Sequence, residues 1–128
     1  LIDNRVMSRV QTPTLDRNQF QTMLQANTGI VVVKFGASWC GPCKRSKSMI
    51  YEHINRMPEN VQFYDIDVDD SFDLYAWMKS KKQVYGIPAL LAYYPGSNGI
   101  GANVSVTGSD PNPIQHFFDE VERAALTL

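Results

Sequence analysis

Apolar residues recur along the chain with two alternating periods, and the switches between them predict the elements. Ile30 to Phe35 is a nearly unbroken apolar, β-branched run, the pattern of a central strand covered on both faces, interrupted only by Lys34. Before it, Arg9 to Thr12 reads as a short first strand ended by Pro13. Asp16 is placed to cap a helix from Arg17 to about Ala26, with Phe20, Met23 and Leu24 on one face and Gly29 as its stop. After Cys40 the period is helical to about Met57, where Met49, Ile50, His53, Ile54 and Met57 form one stripe closed by Pro58. Val61 to Asp67 alternates Val61, Phe63 and Asp65 against Gln62, Tyr64 and Ile66, the period of a strand. Asp69, Asp70 and Ser71 are cap candidates for a helix through Phe72, Tyr75 and Ala76 to about Lys79. Gly86-Ile87-Pro88 leads into a third strong strand, Ala89 to Tyr94, ended by Pro95-Gly96. A Gly- and Asn-rich loop over 97–103 precedes a short strand, Val104 to Thr107, close enough to pair antiparallel. Asp110-Pro111-Asn112-Pro113 then opens a last helix with Ile114, Phe117, Phe118, Val121 and Ala125 on its apolar face. Strands alternating with helices imply parallel pairing through right-handed crossovers, so the expected architecture is an α/β sandwich around a mixed central sheet.

Composition narrows the class. A chain of 128 residues with 44% hydrophobic content can bury one core without staples. Its 12 basic and 13 acidic residues are interspersed and leave a net charge of -1, so nothing points to nucleic acid or an anionic membrane surface as partner. No apolar run approaches the roughly 18 residues of a spanning helix, and the N-terminus lacks the order of a secretory signal; a soluble chain is expected. Leu1 to Val6 precede the first methionine, Met7, so residues 1–8 are set aside as an N-terminal extension or expression remnant and the domain is expected over 9–128. Two cysteines in a chain with a large core are not a disulfide framework, which favours a reducing, cytoplasmic compartment.

Both cysteines fall in Ala37-Ser38-Trp39-Cys40-Gly41-Pro42-Cys43-Lys44, where the central strand feeds a turn that opens a helix. A dithiol catalyst needs one thiol that ionises near neutral pH and a second placed to attack the mixed disulfide internally. At a helix start, unpaired N–H groups and the macrodipole favour negative charge, so Cys40 is expected to be the exposed, more acidic, attacking thiol. Cys43, one turn in, is expected to be buried, less acidic and resolving. Gly41 lets the turn approach a substrate backbone, and Pro42 fixes φ where a donor would go unpaired. The bland alternative, half a zinc site, lacks partners, because no other cysteine exists and His53 and His116 have no ligand spacing. His53 reads as a helix-face histidine, and Trp77, Tyr93 and Tyr94 as packing.

Trp39-Cys40-Gly41-Pro42-Cys43-Lys44 resembles the active site of the thioredoxins, a family for which Cys-x-x-Cys near a βαβ pattern is a known sign. The resemblance extends to Val61 through Asp70, similar to the family's third strand, to Gly86-Ile87-Pro88, similar to its cis-proline loop, and to Gly108 ahead of the last helix. It runs from about Thr14 to the C-terminus. It implies the thioredoxin fold, with about five strands in a central mixed sheet flanked by about four helices. A cis peptide between Ile87 and Pro88 is also implied, with the Ile87 backbone pairing with an extended substrate and Pro88 shielding the thiols from metal. Trp39, Ile87 and Gly108 would then form the apolar contact surface. The family further implies reduction of protein disulfides without a bound cofactor, recharging by a flavin- or ferredoxin-linked reductase of the thioredoxin-reductase type, and a monomeric state.

Three features depart from the family pattern, and one further substitution accompanies them. Lys34 stands where thioredoxins usually carry a buried Asp thought to relay the proton of the resolving cysteine. Either Lys34 takes over as base with a burial-lowered pKa, or as a cation it favours thiolate at Cys40 and Cys43; Asp65, if on the same face of the neighbouring strand, could pair with it, and snorkelling to solvent is the bland outcome. Ser48 replaces a helix-kinking proline, the loop from Pro95 to Asn103 is longer than the family's tight turn, and Gly36 replaces a frequent aromatic, which would open the site. The expectation is a protein disulfide reductase. Its rivals are a docking module using the face around Trp39 and Ile87 without redox turnover, and an oxidase or isomerase, disfavoured by Gly41-Pro42 because isomerases of this fold more often carry a histidine there.

Overall fold

The computed structural model describes residues 9–128; the extension expected over 1–8 lies outside them. The elements follow one another as β1 (Val10–Gln11), α1 (Arg17–Gln25), β2 (Ile30–Gly36), α2 (Gly41–Arg56), β3 (Val61–Asp67), α3 (Phe72–Ser80), β4 (Ala89–Tyr93), β5 (Val104–Thr107) and α4 (Pro111–Leu126). The sheet order is β1-β3-β2-β4-β5, with β1 and β2 parallel to β3 and β4 antiparallel to both β2 and β5. This mixed sheet bears out the expected sandwich. No described helix is long and apolar enough to cross a membrane.

Strand β2 is central because all seven of its residues are buried, as the apolar run requires. Ile30 and Val32 point to one face, against Ile50 and Ile54 of α2 and Phe117, Phe118 and Val121 of α4. Val31, Val33 and Phe35 point to the other, against Phe20 and Leu24 of α1 and Leu74 and Met78 of α3. Strand β3 shares this two-faced burial, so the alternation of Phe63 with Tyr64 and Ile66 separates two cores rather than core from solvent. Lys34 therefore continues the Ile30 and Val32 face, and Asp65 the Val61 and Phe63 face, with the two directly opposite in the parallel ladder.

Local chemistry fixes the ends. Asp16 and Gln19 form a reciprocal capping box on α1 at 2.8 and 2.9 Å. The helix ends at Gln25, before Gly29, and Gly29 serves instead to let two backbone segments approach closely. A Cβ there would lie 2.2 Å from the Asn60 carbonyl oxygen, which receives the Ile30 N–H at 2.9 Å. Ser71 is the N-cap of α3 without a side-chain cap bond, because its Oγ already accepts the Leu15 N–H at 3.0 Å. The inward face of α3 is Leu74 and Met78, leaving Phe72 exposed. With Ser48 in place of proline, α2 runs uninterrupted over Gly41–Arg56. Its end is held by Arg9, whose guanidinium donates to the carbonyls of Ile54, Met57, Pro58 and Val61 at 2.6–3.1 Å.

Candidate active site

The C-terminal end of β2 delivers the chain through Ala37, Ser38 and Trp39 to Cys40, which is the N-cap of α2. Cys40 and Cys43 are joined in a disulfide, their Cα atoms 5.3 Å apart. Cys40 Sγ accepts the Cys43 N–H at 3.2 Å, which places this sulfur where the unpaired donors of the helix end converge. Pro42 lies in the first turn, where its missing N–H leaves no acceptor wanting. The expected contrast of an exposed Cys40 with a buried Cys43 is corrected: in the disulfide both residues are 5% exposed. In this oxidised form the Cys40 sulfur lies against the Ile87 loop, so the two cysteines differ by their partners and not by their access to solvent.

On the Cys40 side the site residues come together. Cys40 Sγ lies 3.9 Å from the Ile87 carbonyl oxygen, and the Ile87–Pro88 peptide is cis. Pro88 is buried, and its carbonyl accepts the N–H of Gly108 at 2.8 Å; Gly108 has φ 101°, a conformation that glycine adopts readily. Trp39 is 66% exposed, yet its indole is fixed by an Nε1–H bond to Asp69 Oδ2 at 2.8 Å. Asp69 carries a role the sequence reading missed. Its position just past β3, parallel to β2, is the signal that could have linked it to a residue just past β2.

On the Cys43 side a cleft of about 520 Å³ opens between β1, β2, β3 and α2, with Thr12, Pro13, Lys34, Gly36, Cys43 and Asp65 among its lining. Lys34 does not snorkel: its side chain is 6% exposed, and Nζ donates to Asp65 Oδ1 at 3.3 Å. The second carboxylate oxygen, Oδ2, accepts the Tyr51 hydroxyl at 2.6 Å. Burial, reinforced by this bond and by the carboxylate's charge, pushes the Tyr51 phenol well above its ordinary range, so it is a donor at every working pH. Tyr51 was not singled out from the sequence, although it sits at i+4 from Lys47 and i+8 from Cys43 on the helix those residues share. Gly36 makes room for the lysine: a Cβ there would meet Lys34 Nζ at 3.0 Å and Cys43 Sγ at 3.5 Å. The missing aromatic is thus replaced in part by the lysine's own amine, with the cleft alongside.

His53 is buried in a stack on Phe118, 4.7 Å between centroids, away from the cysteines. Among the described residues no group of three or more His, Cys, Asp or Glu side chains is arranged to hold a metal ion.

A disulfide between the N-cap and third residue of a helix, fed by the central strand of this sheet and faced by the Ile87 carbonyl of a cis Ile–Pro peptide, defines a thiol–disulfide oxidoreductase of thioredoxin fold. The sequence profile of the thioredoxin family matches residues 11–120. Thioredoxin-1 of Saccharomyces cerevisiae is 36% identical over 93 residues, 66% of this chain and 85% of the yeast protein. A thioredoxin of Ophiophagus hannah is 40% identical over 60 residues, where the chain spans only 56% of that protein's length. The crystal structure of Malassezia sympodialis thioredoxin superposes with a TM-score of 0.66 at 26% identity, covering 89% of this chain and 94% of that one. The chain belongs to the thioredoxin family.

Proposed function

We propose that this chain reduces disulfides of other proteins, Cys40 attacking and Cys43 resolving, with electrons from a thioredoxin-reductase-type donor. The observation that carries the reading is the position of Cys40 Sγ, which caps α2, receives the Cys43 N–H at 3.2 Å and faces the Ile87 carbonyl. In the reduced protein the same N–H and the helix end favour a thiolate at Cys40. That thiolate attacks one sulfur of a substrate disulfide. A mixed disulfide forms, and the other substrate sulfur leaves with the electron pair and takes up a proton. The Cys43 thiolate then attacks Cys40 Sγ. The bond from Cys40 to substrate breaks, the second substrate sulfur is protonated, and the Cys40–Cys43 disulfide is regenerated. Two electrons have passed to the substrate, and the donor's dithiol restores them.

Substrate recognition on this reading is largely backbone-directed. An extended segment pairs with the Ile87 carbonyl while the Trp39 indole, fixed by Asp69, and the glycine backbone at Gly108 frame it. A monomer working in the cytoplasm, linked to a flavin- or ferredoxin-dependent donor, completes the proposal, and no bound cofactor takes part. A docking module without redox turnover would have no use for a thiol pair at the helix cap. The test follows reduction of an interchain disulfide substrate such as insulin, with dithiothreitol as donor. Turnover well above the dithiothreitol background that vanishes in the Cys40→Ser, Cys43→Ser double variant is expected. Turnover surviving in that variant, or never exceeding background in the parent, would overturn the reading.

A further inference from the structure

The buried charge beside the resolving cysteine is the feature that the redox chemistry leaves unused. Six charged residues line the Cys43 cleft: Lys34 on β2, Asp65 and Asp67 on β3, Asp70 just beyond it, and Lys44 and Lys47 on α2. Lys44, Lys47 and Asp70 are exposed and screened by solvent, whereas Lys34 is 5% exposed. Its Nζ and Cys43 Sγ lie 3.0 and 3.5 Å from the empty Cβ position of Gly36, so the amine and the sulfur face the same space that the glycine leaves open.

We propose that Lys34 is a counter-ion shared between two acceptors, Asp65 in the oxidised protein and the Cys43 thiolate in the reduced one, with Tyr51 keeping Asp65 satisfied when the ammonium turns away. The inference rests on Cys43 being the resolving thiol. In the disulfide, Cys43 Sγ is neutral and a weak acceptor, so Nζ bonds Asp65 Oδ1 at 3.3 Å. Two-electron reduction breaks the Cys40–Cys43 bond, and the donor dithiol is oxidised to its own disulfide. The freed Cys43 sulfur is then an anion facing the same space as a largely buried cation, where their attraction is stronger than between fully exposed charges. The exchange as proposed moves the side chain between acceptors and transfers no proton. Asp65 is not stranded, because the Tyr51 hydroxyl at 2.6 Å continues to donate to Oδ2 and the 18% exposed carboxylate side chain reaches water through the cleft. Three residues thus act together. Lys34 is the electrostatic partner of the sulfur, and Asp65 and Tyr51 are positioning residues that hold it in reserve.

The consequence is a resolving thiol that is ionised before it attacks and needs no separate base. An account in which Asp65 itself removes the Cys43 proton predicts the opposite response to neutralising Asp65, so the two can be told apart. The experiment uses the full chain with Cys40→Ser, leaving Cys43 as its single thiol, and follows thiolate absorbance at 240 nm against pH. Adding Lys34→Met is expected to raise the Cys43 pKa by about one unit or more. Lys34→Arg should restore most of the difference, and Asp65→Asn should lower the pKa further because the ammonium is no longer shared. In the Cys40-containing chain, Asp65→Asn should leave resolution of a preformed mixed disulfide as fast as the parent or faster. An unchanged pKa in Lys34→Met, a raised pKa in Asp65→Asn, or a tenfold slower resolution in Asp65→Asn would each overturn the proposal. Should Lys34→Met fail to fold, the Asp65→Asn and Lys34→Arg arms still decide. The titration is independent of turnover, so a chain that titrates as expected but reduces no disulfide would refute the proposed function and leave the counter-ion standing.

Discussion

Replacing Tyr51 by Phe removes one hydroxyl and little else, which makes it a sharp probe of the polar site beneath the cysteines. The ring is 7% exposed and packs edge-on to Phe63 at 5.9 Å with Lys47 Nζ 5.5 Å from its centroid, contacts a Phe ring would keep. What is lost is the 2.6 Å bond to Asp65 Oδ2. A hydrogen bond to a charged group contributes about 1.5–3 kcal/mol, and because the Asp65 side chain retains 18% exposure and water can partly replace the donor, about 1–2 kcal/mol is expected here. With a urea slope of about 1.5 kcal/mol/M for a chain of this size, the midpoint should fall by roughly 1 M with the slope unchanged. The measurement is urea unfolding of the oxidised protein, followed by the same titration after reduction. The loss should be larger in the reduced state, where Tyr51 is the main remaining donor to Asp65. A loss below about 0.3 kcal/mol in both states would refute the assignment of Tyr51 as a partner of the carboxylate.

Other consequences concern the scaffold. Gly29→Ala sets a Cβ 2.2 Å from a carbonyl oxygen that is itself held by Ile30, so the strand must shift; a loss of about 3 kcal/mol, read as a melting temperature lower by roughly 10 °C, is expected, and a change under about 2 °C would contradict the contact. Arg9→Ala leaves four carbonyls between the last turn of α2 and the start of β3 without their guanidinium donors and should lower stability by about 2 kcal/mol in urea titration; an effect within about 0.5 kcal/mol, the size of an ordinary surface substitution, would show that water serves as well. Burial first, and Arg56 second, hold the pKa of His53 below its ordinary value, so the unfolded chain binds its proton more readily. Its contribution to stability is therefore complete above about pH 6.5 and is lost as pH falls through the lowered folded value, and His53→Phe should flatten that part of the stability–pH curve; an unchanged slope would mean that other groups set it.

The sequence made most of the scaffold legible because its signals are local. The β-branched run from Ile30 to Phe35 could only be a strand covered twice, and the i, i+3, i+4 spacing of Ile114, Phe117, Phe118 and Val121 describes the buried face of α4. Asp16 announced a helix start, to which the structure adds Gln19 as reciprocal capping partner. The Cys40–Cys43 turn was legible for the same reason. What stayed hidden depends on registers between distant segments. The pairing of Lys34 with Asp65 is the expectation that the register bears out, but Tyr51 joins them only because α2 lies across that face of β2 and β3, and Asp69 reaches Trp39 only because those strands end together. Lys34 was noticed as a break in an apolar run, but whether it was exposed or buried could not follow from a period that both outcomes share. The equal burial of the two cysteines does not follow from the sequence, because the contrast expected there belongs to the free thiols, whereas the structure holds them as a disulfide.

The most direct measurement of the central claim uses Cys43→Ser in the reduced chain, mixed with an oxidised protein substrate. Peptide mass mapping of the covalent adduct should find the substrate joined to Cys40 and stable until an added dithiol releases it. A parallel Cys40→Ser chain should form at most a trace of adduct. An adduct formed as readily through Cys43 as through Cys40, or none through Cys40, would contradict the division of labour between the two sulfurs.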